Sequence, residues 1–447
     1  MRLGRPPALG PRIAGPLVRA RGRWHRLFAE CAAKYGDTVR LTRYPVGVLV
    51  ANPRDVEEVL LTNHRNFTKH FAIRRNRTVF GGSLMVSEGE EWLGQRRRAQ
   101  PAFSRSRVAS YVPIIVEETE RMLSGWKAGD RRDVHEEAED LALAIVARLL
   151  LGADTKGEDR ALGAGMRDVM DAFARRSHAH LFFPEGTPFP ANLRLRRAVG
   201  RLEAVMAGAL ARRTGGEDDI LGQIEGAALA AGRPLSDRER WELLLTLFQA
   251  GQHTTAAALA WTWLLLDRHP DAREALEREA EEVLGDRVPA ADDVARLSWA
   301  EAVVRESLRL YPPVWSFGRH AVDACELGGY RIPAGATILM SQWVVHRDAR
   351  WFDDPEEFRP ARWNGGLSDR LPRYAYFPFA GGPRLCIGES LALTEMVLIV
   401  AMTARRFRLA VPAGHEVSEE AAFTLRPRGG LPMRVETATR KEVAPRR

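Results

Sequence analysis

Apolar residues recur with the spacing of amphipathic helices along most of the chain. This spacing predicts a helix from Trp24 to Tyr35 and further helices from Pro53 to about Gly152. The segment around Phe71–Ser87 mixes glycine with apolar residues, which predicts an irregular loop. Short apolar runs at Thr38–Leu41 and Gly47–Ala51 predict a hairpin of two strands.

The longest apolar stretch runs from Leu243 to Leu266. The sequence Ser236-Asp-Arg-Glu239 has the form of a capping box and is expected to open this helix. Gln249, Gln252 and His253 lie near the middle of the stretch, where a bilayer would penalise polar side chains. We therefore expect a helix through the protein core rather than a membrane span.

The later part of the chain shows both the spacing of helices and the alternation of strands. Helices are expected from Asp271 to Leu284, from Ser298 to Leu310 and from Glu389 to about Ala404. Beyond Pro312 the period shifts toward strands, and a late hairpin is expected over Thr424–Val435. Turns or loops are predicted at 182–190, 328–329 and 333–335. The pattern as a whole predicts a mainly α fold with a small, mostly antiparallel β region.

The 447 residues exceed the usual size of one domain, but no linker or repeat divides them. We therefore predict a single domain over 1–447, with a flexible N-terminal segment at 1–23 and a basic C-terminal tail at 436–447. The N-terminal segment contains several prolines and no apolar run, which argues against a signal peptide or a membrane anchor.

The charge and the cysteine content limit which partners and which cellular location are expected. The formal charge is +8 and nearly all the cations are arginines. No nucleic-acid motif accompanies them, so nucleic acid is not an expected partner. An acidic electron-donor protein fits better, because complementary charge speeds encounter. Cys31, Cys325 and Cys386 are widely spaced and odd in number, which favours a reducing, cytoplasmic location over a disulfide framework.

The loop from Phe379 to Gly388 surrounds one of these cysteines with unusual chemistry. No second cysteine lies near Cys386, so a zinc or iron–sulfur site fits poorly, whereas one thiolate can ligate an iron held by a macrocycle. Arg384 suits a haem propionate and favours the thiolate. Gly382 and Gly388 would admit a flat cofactor, and Phe379 could keep water off the sulfur. The alternative is a buried structural cysteine.

The pattern F-x-x-G-x-R-x-C-x-G resembles the haem-binding loop of the cytochrome P-450 family. The resemblance implies haem b as the cofactor and Cys386 as the iron ligand, with Phe379, Gly382, Arg384 and Gly388 around it.

Two further segments match positions that bind the haem propionates in this family. Trp92 and Arg96 resemble its W-x-x-x-R motif, and Arg319 matches a second propionate-binding arginine.

Glu306 and Arg309 lie three residues apart, on one face of a predicted helix. Alone, such a pair is usually a surface pair of little value. Their order before Arg362 resembles the family's E-x-x-R helix and its P-E-R-F-like segment, which implies a structural triad. Ala361 and Trp363 depart from that second motif, where an acid and a phenylalanine are usual.

Residues 250–255 resemble the family's oxygen-activating motif, A-G-x-[D/E]-T-[T/S]. Thr254 matches the alcohol that assists oxygen activation, and Gly251 lets a ligand approach the helix. His253 replaces the usual acid. Because histidine titrates near neutrality, it could relay protons to Thr254; the alternative is that it faces away and is merely packed or solvated.

The resemblance covers most of the chain and implies the family's fold, with haem between the long central helix and the Cys-ligand helix. It also implies a monooxygenase that inserts one oxygen atom of dioxygen into a lipophilic substrate such as a terpenoid, carotenoid or fatty acid. Electrons would come from a separate ferredoxin and ferredoxin reductase, or a flavodoxin.

By family position the substrate pocket is expected to be lined by Phe248, Val314, Trp315, Phe317 and Leu425, with the segments 71–87 and 181–190. Two other functions remain open at this point. One is a peroxide-driven or non-redox haem-thiolate enzyme, which the retention of Thr254 argues against. The other is a haem sensor, which no DNA- or partner-binding module supports.

Overall fold

The computed structural model describes residues 4–8, 22–43, 46–74, 76–152, 159–178, 187–211, 213, 216 and 218–438. The fold is mainly helical, as the sequence predicts, and the strands form small sheets. The helices in chain order are α1 (Trp24–Tyr35), α2 (Pro53–Glu57), α3 (Phe71–Arg74), α4 (Arg77–Phe80), α5 (Gly89–Ala99), α6 (Arg105–Ser124), α7 (Val134–Leu151), α8 (Asp159–His178), α9 (Pro190–Ala211), α10 (Ile220–Ala230), α11 (Asp237–Arg268), α12 (Pro270–Leu284), α13 (Ala291–Val294), α14 (Ser298–Leu310), α15 (Gln342–Val345), α16 (Leu367–Arg370) and α17 (Glu389–Arg406).

The long helix α11 forms the centre of the core. The predicted capping box is present: Glu239 N donates to Ser236 Oγ at 3.2 Å, and Ser236 N donates to the Glu239 carboxylate at 2.9 Å. The helix therefore begins at Asp237, ahead of the apolar stretch. Its middle and C-terminal parts are buried against α7, α14 and α17. No helix in the described part of the chain is both long and apolar enough to cross a membrane.

Twelve labelled strands complete the described fold. They are β1 (Thr38–Arg43), β2 (Val46–Val50), β3 (Phe67–Lys69), β4 (Arg131–Asp133), β5 (Phe317–Ala321), β6 (Cys325–Leu327), β7 (Tyr330–Ile332), β8 (Thr337–Met340), β9 (Phe407–Ala410), β10 (Glu419–Ala421), β11 (Leu425–Pro427) and β12 (Pro432–Thr437).

The largest sheet has the order β1-β2-β8-β5-β3. The predicted early hairpin is confirmed, since β1 and β2 pair antiparallel with Thr38 opposite Val50. β2 continues the sheet by pairing in parallel with β8, while the other strand pairs described are antiparallel. This sheet places β5, and with it Arg319, beside β3.

The expected late hairpin over 424–435 is wrong. β11 pairs with β10, whereas β12 pairs with β4 and β9 in a different sheet. Gly429 and Gly430, with φ of 75° and 92°, turn the chain from one sheet to the other. Asp133 holds the turn, because its Oδ1 accepts from Leu431 N at 3.0 Å.

The segment 71–87 contains two single-turn helices, α3 and α4, between irregular stretches. Of the expected loop 182–190, residues 182–186 lie outside the described residues, and α9 begins at Pro190. Residues 1–3, 9–21 and 439–447 also lie outside them. Residues 4–8 lie against the sheets rather than free, because Arg40 N donates to Pro7 O at 2.9 Å and Arg331 N donates to Gly4 O at 3.2 Å.

Candidate active site

Cys386 lies between a short turn of 3₁₀ helix, Gly382–Arg384, and the start of α17 at Glu389. Its backbone N donates to Phe379 O at 3.0 Å, which closes the loop. The cysteine is exposed, yet the surrounding protein desolvates it, as expected for a side chain that faces a deep cleft. This desolvation raises the pKa of the thiol, and a backbone hydrogen bond from Gly388 opposes the rise.

Arg96 and Arg384 contact different groups around the Cys386 loop. Arg96 reaches the loop, donating to Leu385 O at 2.8 Å, and its charge lowers the pKa of the Cys386 thiol. Arg384 instead pairs with the Glu88 carboxylate and donates to Phe67 O at 3.2 Å. The cation that favours the thiolate is therefore Arg96, and the expectation that Arg384 does so is corrected.

The two glycines of the loop serve different neighbours. Gly382 has φ +65°, and a Cβ there would lie 1.8 Å from Leu60 O. The missing side chain at 382 therefore makes room for the backbone that follows α2. The sequence, by contrast, suggests that it makes room for a cofactor. Gly388 has φ −90°, and a Cβ there would meet no atom of the described residues within 4 Å. Protein packing gives no reason for glycine at 388, whereas a flat group lying over the loop would.

Basic side chains gather next to this loop. Nζ of Lys69 lies 5.7 Å from the Trp92 ring centroid, and Cζ of Arg384 lies 5.4 Å from it. Arg319, on β5, has its Cζ 5.0 Å from the Phe317 ring centroid. Lys69 lies opposite Arg319 in the register of β3 and β5, and the charge of Arg384 acts on Arg319. Trp92, Arg319 and Arg384 therefore lie in one region, together with Lys69 and Glu88, which no local pattern indicates.

The electrostatics of this cluster favour an anionic ligand. Burial, aided by the charges of Arg384 and Arg319 and opposed by Glu88, lowers the pKa of Lys69 to about 7. Burial, followed by Arg384, also lowers the pKa of Arg319 to about 10. These shifts mean that the protonated forms lack sufficient negative charge nearby. A ligand with two carboxylates, such as haem, would supply it.

On α11, Thr254 and Gly251 contact the helix itself and α7. Thr254 Oγ1 donates to Ala250 O at 2.6 Å. A Cβ at Gly251 would lie 3.1 Å from Val146 Cγ2, so this glycine permits close packing of α7 on α11 rather than ligand approach. His253 is buried and faces α7 as well, with Nδ1 2.9 Å from Glu139 Oε1.

Glu306, Arg309 and Arg362 meet in the protein interior. Arg309 donates to both Glu306 oxygens at 2.9 Å, and Arg362 Nε donates to Oε1 at 2.8 Å. Arg309 also donates to His346 O at 2.9 Å and Pro355 O at 2.6 Å. These bonds fix the irregular chain between α15 and the Cys386 loop.

The residues expected in a substrate pocket have varied surroundings. Trp315 packs against His25 and Phe28 of α1, with ring centroids 6.2 and 5.5 Å away, and these contacts explain it without a ligand. Phe248 and Leu425 are buried, whereas Val314 and Phe317 are half-buried.

Three aromatic rings meet where α4, α8 and the residues before β11 come together; Phe80 lies in the segment 71–87 that is expected to line the pocket, whereas Phe173 and Phe423 are not predicted from the sequence. Phe80 of α4 lies 5.7 Å from Phe173 of α8 and 6.2 Å from Phe423, and Phe173 lies 5.8 Å from Phe423. The three residues come from distant parts of the chain, so no local pattern could have joined them.

In the described residues no group of three or more His, Cys, Asp and Glu side chains is placed to hold a metal ion. A single thiolate beside a cationic cluster is the donor set of a haem-thiolate site. The chain matches the family described as cytochrome P-450 over residues 6–431. It belongs to the cytochrome P-450 family.

Several P-450 relatives have descriptive names. Cyclooctat-9-en-7-ol 5-monooxygenase of Streptomyces melanosporofaciens is 36% identical over 395 residues, covering 86% of each chain. Cyclooctatin synthase of the same organism is 33% identical over 408 residues, covering 89% of this chain and 88% of the relative. Pentalenene oxygenase of Streptomyces avermitilis is 30% identical over 405 residues, covering 89% and 90%.

Solved structures agree on the fold. The haem domain of cytochrome P-450DA superposes with a TM-score of 0.87 at 24% identity, covering 98% of this chain and 99% of that one. A mutant of the same domain gives a TM-score of 0.88. The predicted fold class is therefore confirmed.

The protein is thus a P-450 monooxygenase whose cofactor is haem. When bound, haem supplies an iron that activates dioxygen, and thiolate ligation favours cleavage of the O–O bond. The chain's own residues fit that group: Cys386 offers a lone thiol in a cleft, Gly388 leaves room above the loop, and Lys69, Arg319 and Arg384 offer excess positive charge.

Proposed function

We propose that this P-450 inserts one oxygen atom of dioxygen into a cyclic terpenoid or a similarly lipophilic molecule. The hydrocarbon, dioxygen, two electrons and two protons give an alcohol and water. The Cys386 thiol, alone in its cleft and close to Arg96, is the observation that carries the oxygenase chemistry. The names of three relatives support a terpenoid substrate.

In this proposal each residue of the haem-facing region has a role. Cys386 ligates the iron, and Phe379 and Gly388 shape the loop around the sulfur. Trp92, Arg96, Arg319 and Arg384 hold the propionates, and Lys69 joins them because its charge lacks sufficient compensation from protein carboxylates. Gly382, Glu306, Arg309 and Arg362 act on the fold and keep the loop in place.

The substrate would lie against the aromatic rings of Phe80, Phe173 and Phe423. Aromatic and aliphatic walls without charge suit a hydrocarbon, since binding removes apolar surface from water without stranding a polar group. Phe248, Val314, Phe317 and Leu425 are proposed to complete the apolar lining by family position. Trp315 is left out, because its contacts with α1 already account for it.

Proton delivery is assigned to Thr254 and His253. Oxygen activation consumes two protons for each alcohol formed, and a water-excluding pocket needs a defined donor. The Thr254 hydroxyl, now bonded to Ala250 O, can redirect its hydrogen by rotation about the Cβ–Oγ1 bond. Electrons are proposed to come from a separate acidic ferredoxin and its reductase, since the chain carries a net positive charge of +8.

The first experiment is the absorption spectrum of the reduced protein under carbon monoxide. A strongly red-shifted Soret band is expected from thiolate ligation, and Cys386→Ser should abolish it while Cys325→Ser leaves it unchanged. A band typical of histidine-ligated haem would overturn the assignment of Cys386.

The substrate is tested with cyclic terpenes, including pentalenene, and with fatty acids of similar size. The assay contains a surrogate ferredoxin, its reductase and NADPH. Oxygen-dependent alcohol formation from a terpene is expected. Turnover of the fatty acids alone would refute the terpenoid assignment and leave the oxygenase chemistry intact.

A further inference from the structure

His253 and Glu139 form a pair between α11 and α7 that is nearly excluded from solvent. Nδ1 and Oε1 lie 2.9 Å apart, and the side chains are 9% and 8% exposed. Burial raises the pKa of the Glu139 carboxyl, but the hydrogen bond and charge of His253 outweigh burial, so the pKa lies below its usual value. Glu139 is therefore ionised, and Nδ1 of His253 must carry the proton between them.

The second ring nitrogen of His253, unlike Nδ1, has no hydrogen bond among the described residues. This nitrogen, Nε2, is buried. The neighbouring Gln252 has both side-chain atoms in the same condition. A buried nitrogen without a partner has a lone pair or a hydrogen still available, so Nε2 of His253 can accept a hydrogen bond or a proton.

We propose that Glu139 is a positioning residue for proton transfer in this enzyme. It fixes His253 in the tautomer protonated at Nδ1 and leaves Nε2 as the nitrogen that exchanges protons, on the residue that directly precedes Thr254 in α11. A hydronium ion that enters from solvent gives one proton to Nε2 and leaves as water, and the Glu139 carboxylate stabilises the transient positive ring. The same proton then leaves Nε2 toward Thr254 and restores the neutral ring. This inference rests on the proposed role of His253 and Thr254.

Other titratable groups on α7 surround the pair. His135 lies one helical turn before Glu139, and burial lowers its pKa although the charges of Glu139 and Asp133 oppose the shift. An Asp140 carboxylate oxygen lies 3.3 Å from a guanidinium nitrogen of Arg167 on α8. Asp140 therefore forms its ion pair with Arg167 and not with His253. Glu139 is thus the carboxylate that hydrogen-bonds His253.

The tautomer can be measured directly, without substrate. In the diamagnetic carbon monoxide complex of the reduced protein, long-range ¹H–¹⁵N correlation separates the two nitrogens of each histidine, and His253→Gln assigns the signal. We expect Nδ1 of His253 protonated and Nε2 unprotonated at neutral pH. In Glu139→Gln, whose amide can both donate and accept, the tautomer protonated at Nε2 should appear. A proton on Nε2 in the unaltered protein overturns the proposal.

The kinetic consequence is tested with pentalenene as the probe. Glu139→Gln should keep its haem and its carbon monoxide band, divert several-fold more electrons to hydrogen peroxide, and increase the solvent deuterium isotope effect. Glu139→Asp should restore part of the coupling. The matched control is Glu118→Gln, which removes the charge of another buried carboxylate paired with α7 through Arg148 at 2.7 Å. It should lower the melting temperature without changing the coupling.

The outcomes separate this inference from the proposed function. If Thr254→Ala uncouples turnover while Glu139→Gln changes neither the coupling nor the isotope effect, the pair only joins two helices and the proposal fails. If the unaltered enzyme does not oxidise pentalenene, the substrate assignment is at fault. The tautomer measurement then still tests whether Glu139 fixes the proton of His253 at Nδ1, and a proton on Nε2 overturns the proposal.

Discussion

The indole nitrogen of Trp363 donates a 2.9 Å hydrogen bond to Oε2 of Glu306. Arg362 binds the other oxygen, and Arg309 binds both. Tryptophan in place of the family's phenylalanine is therefore a gain: the ring supplies a donor to a carboxylate that is completely buried. Such a carboxylate requires every available partner, because an unpaired buried charge is costly.

Removing the indole donor should destabilise the protein. Trp363→Phe is expected to lower the free energy of unfolding by about 2 kcal/mol, because its acceptor is charged. Trp299→Phe is the control, since Trp299 Nε1 donates to a neutral acceptor, Ala272 O, at 3.0 Å. The control should cost about 1 kcal/mol. Urea unfolding of both variants measures the difference, and equal costs would contradict the argument.

Two glycines of the Cys386 loop should respond differently to alanine. Gly382→Ala places a Cβ against Leu60 O at positive φ, so it should lower the melting temperature of both the apoprotein and the haem protein. The Cβ that Gly388→Ala adds meets no atom within 4 Å in the part of the chain that the structure describes. It should leave the apoprotein unchanged and speed haem loss. Thermal melts with and without haem, followed by haem transfer to apomyoglobin, distinguish the two effects.

Lys69 should couple haem affinity to pH. Its pKa is about 7 in the protein without a ligand, chiefly because of burial, and bound propionates would raise it. Haem binding then takes up a proton, so affinity is greatest below pH 7 and falls as pH rises through that value.

Lys69→Met should weaken haem binding below pH 7 and remove this dependence. The control Lys34→Met changes an exposed lysine and should alter neither. Haem dissociation rates from pH 6 to 9 provide the test, and a pH dependence that survives in Lys69→Met would rule out this residue.

Acid should destabilise the fold through His25. Burial lowers its pKa to about 4, and neither ring nitrogen has a partner among the described residues. The unfolded chain binds a proton near pH 6.5 while the folded chain does not, so stability is unaffected above 6.5 and falls as pH drops toward 4. The loss is about 1.4 kcal/mol per pH unit for one such group.

His25→Phe, which keeps a ring between Trp315 and Trp343, should reduce the loss of melting temperature between pH 7 and 5. His415→Phe is the control, because His415 is exposed. If both variants follow the acid response of the unaltered protein, His25 is not the sensitive group.

Local sequence predicted the features that local chemistry determines. The capping box at Ser236 and the early hairpin were predicted because their residues lie within a few positions of one another. The late hairpin failed because the partners of β12 lie in β4 and β9, which the residues around 432 cannot specify.

The candidate site shows the same division. Cys386 is recognisable from its own loop, but Glu88 lies 296 residues from its partner Arg384, and Glu139 lies 114 residues from His253. No local signal singles out Glu139, because it is one of four acids at the start of α7, with Glu136, Glu137 and Asp140. Periodicity alone could not say what the acid faces.

The pairing of early strands with late ones affects how the chain can be made. β2 needs β8 and β4 needs β12, so neither sheet closes until the ribosome has synthesised residues 340 and 437, respectively. Until then the nascent chain exposes strand edges and apolar helix faces that invite association with other chains. Yield of folded protein should therefore depend on translation speed and chaperone supply as much as on final stability.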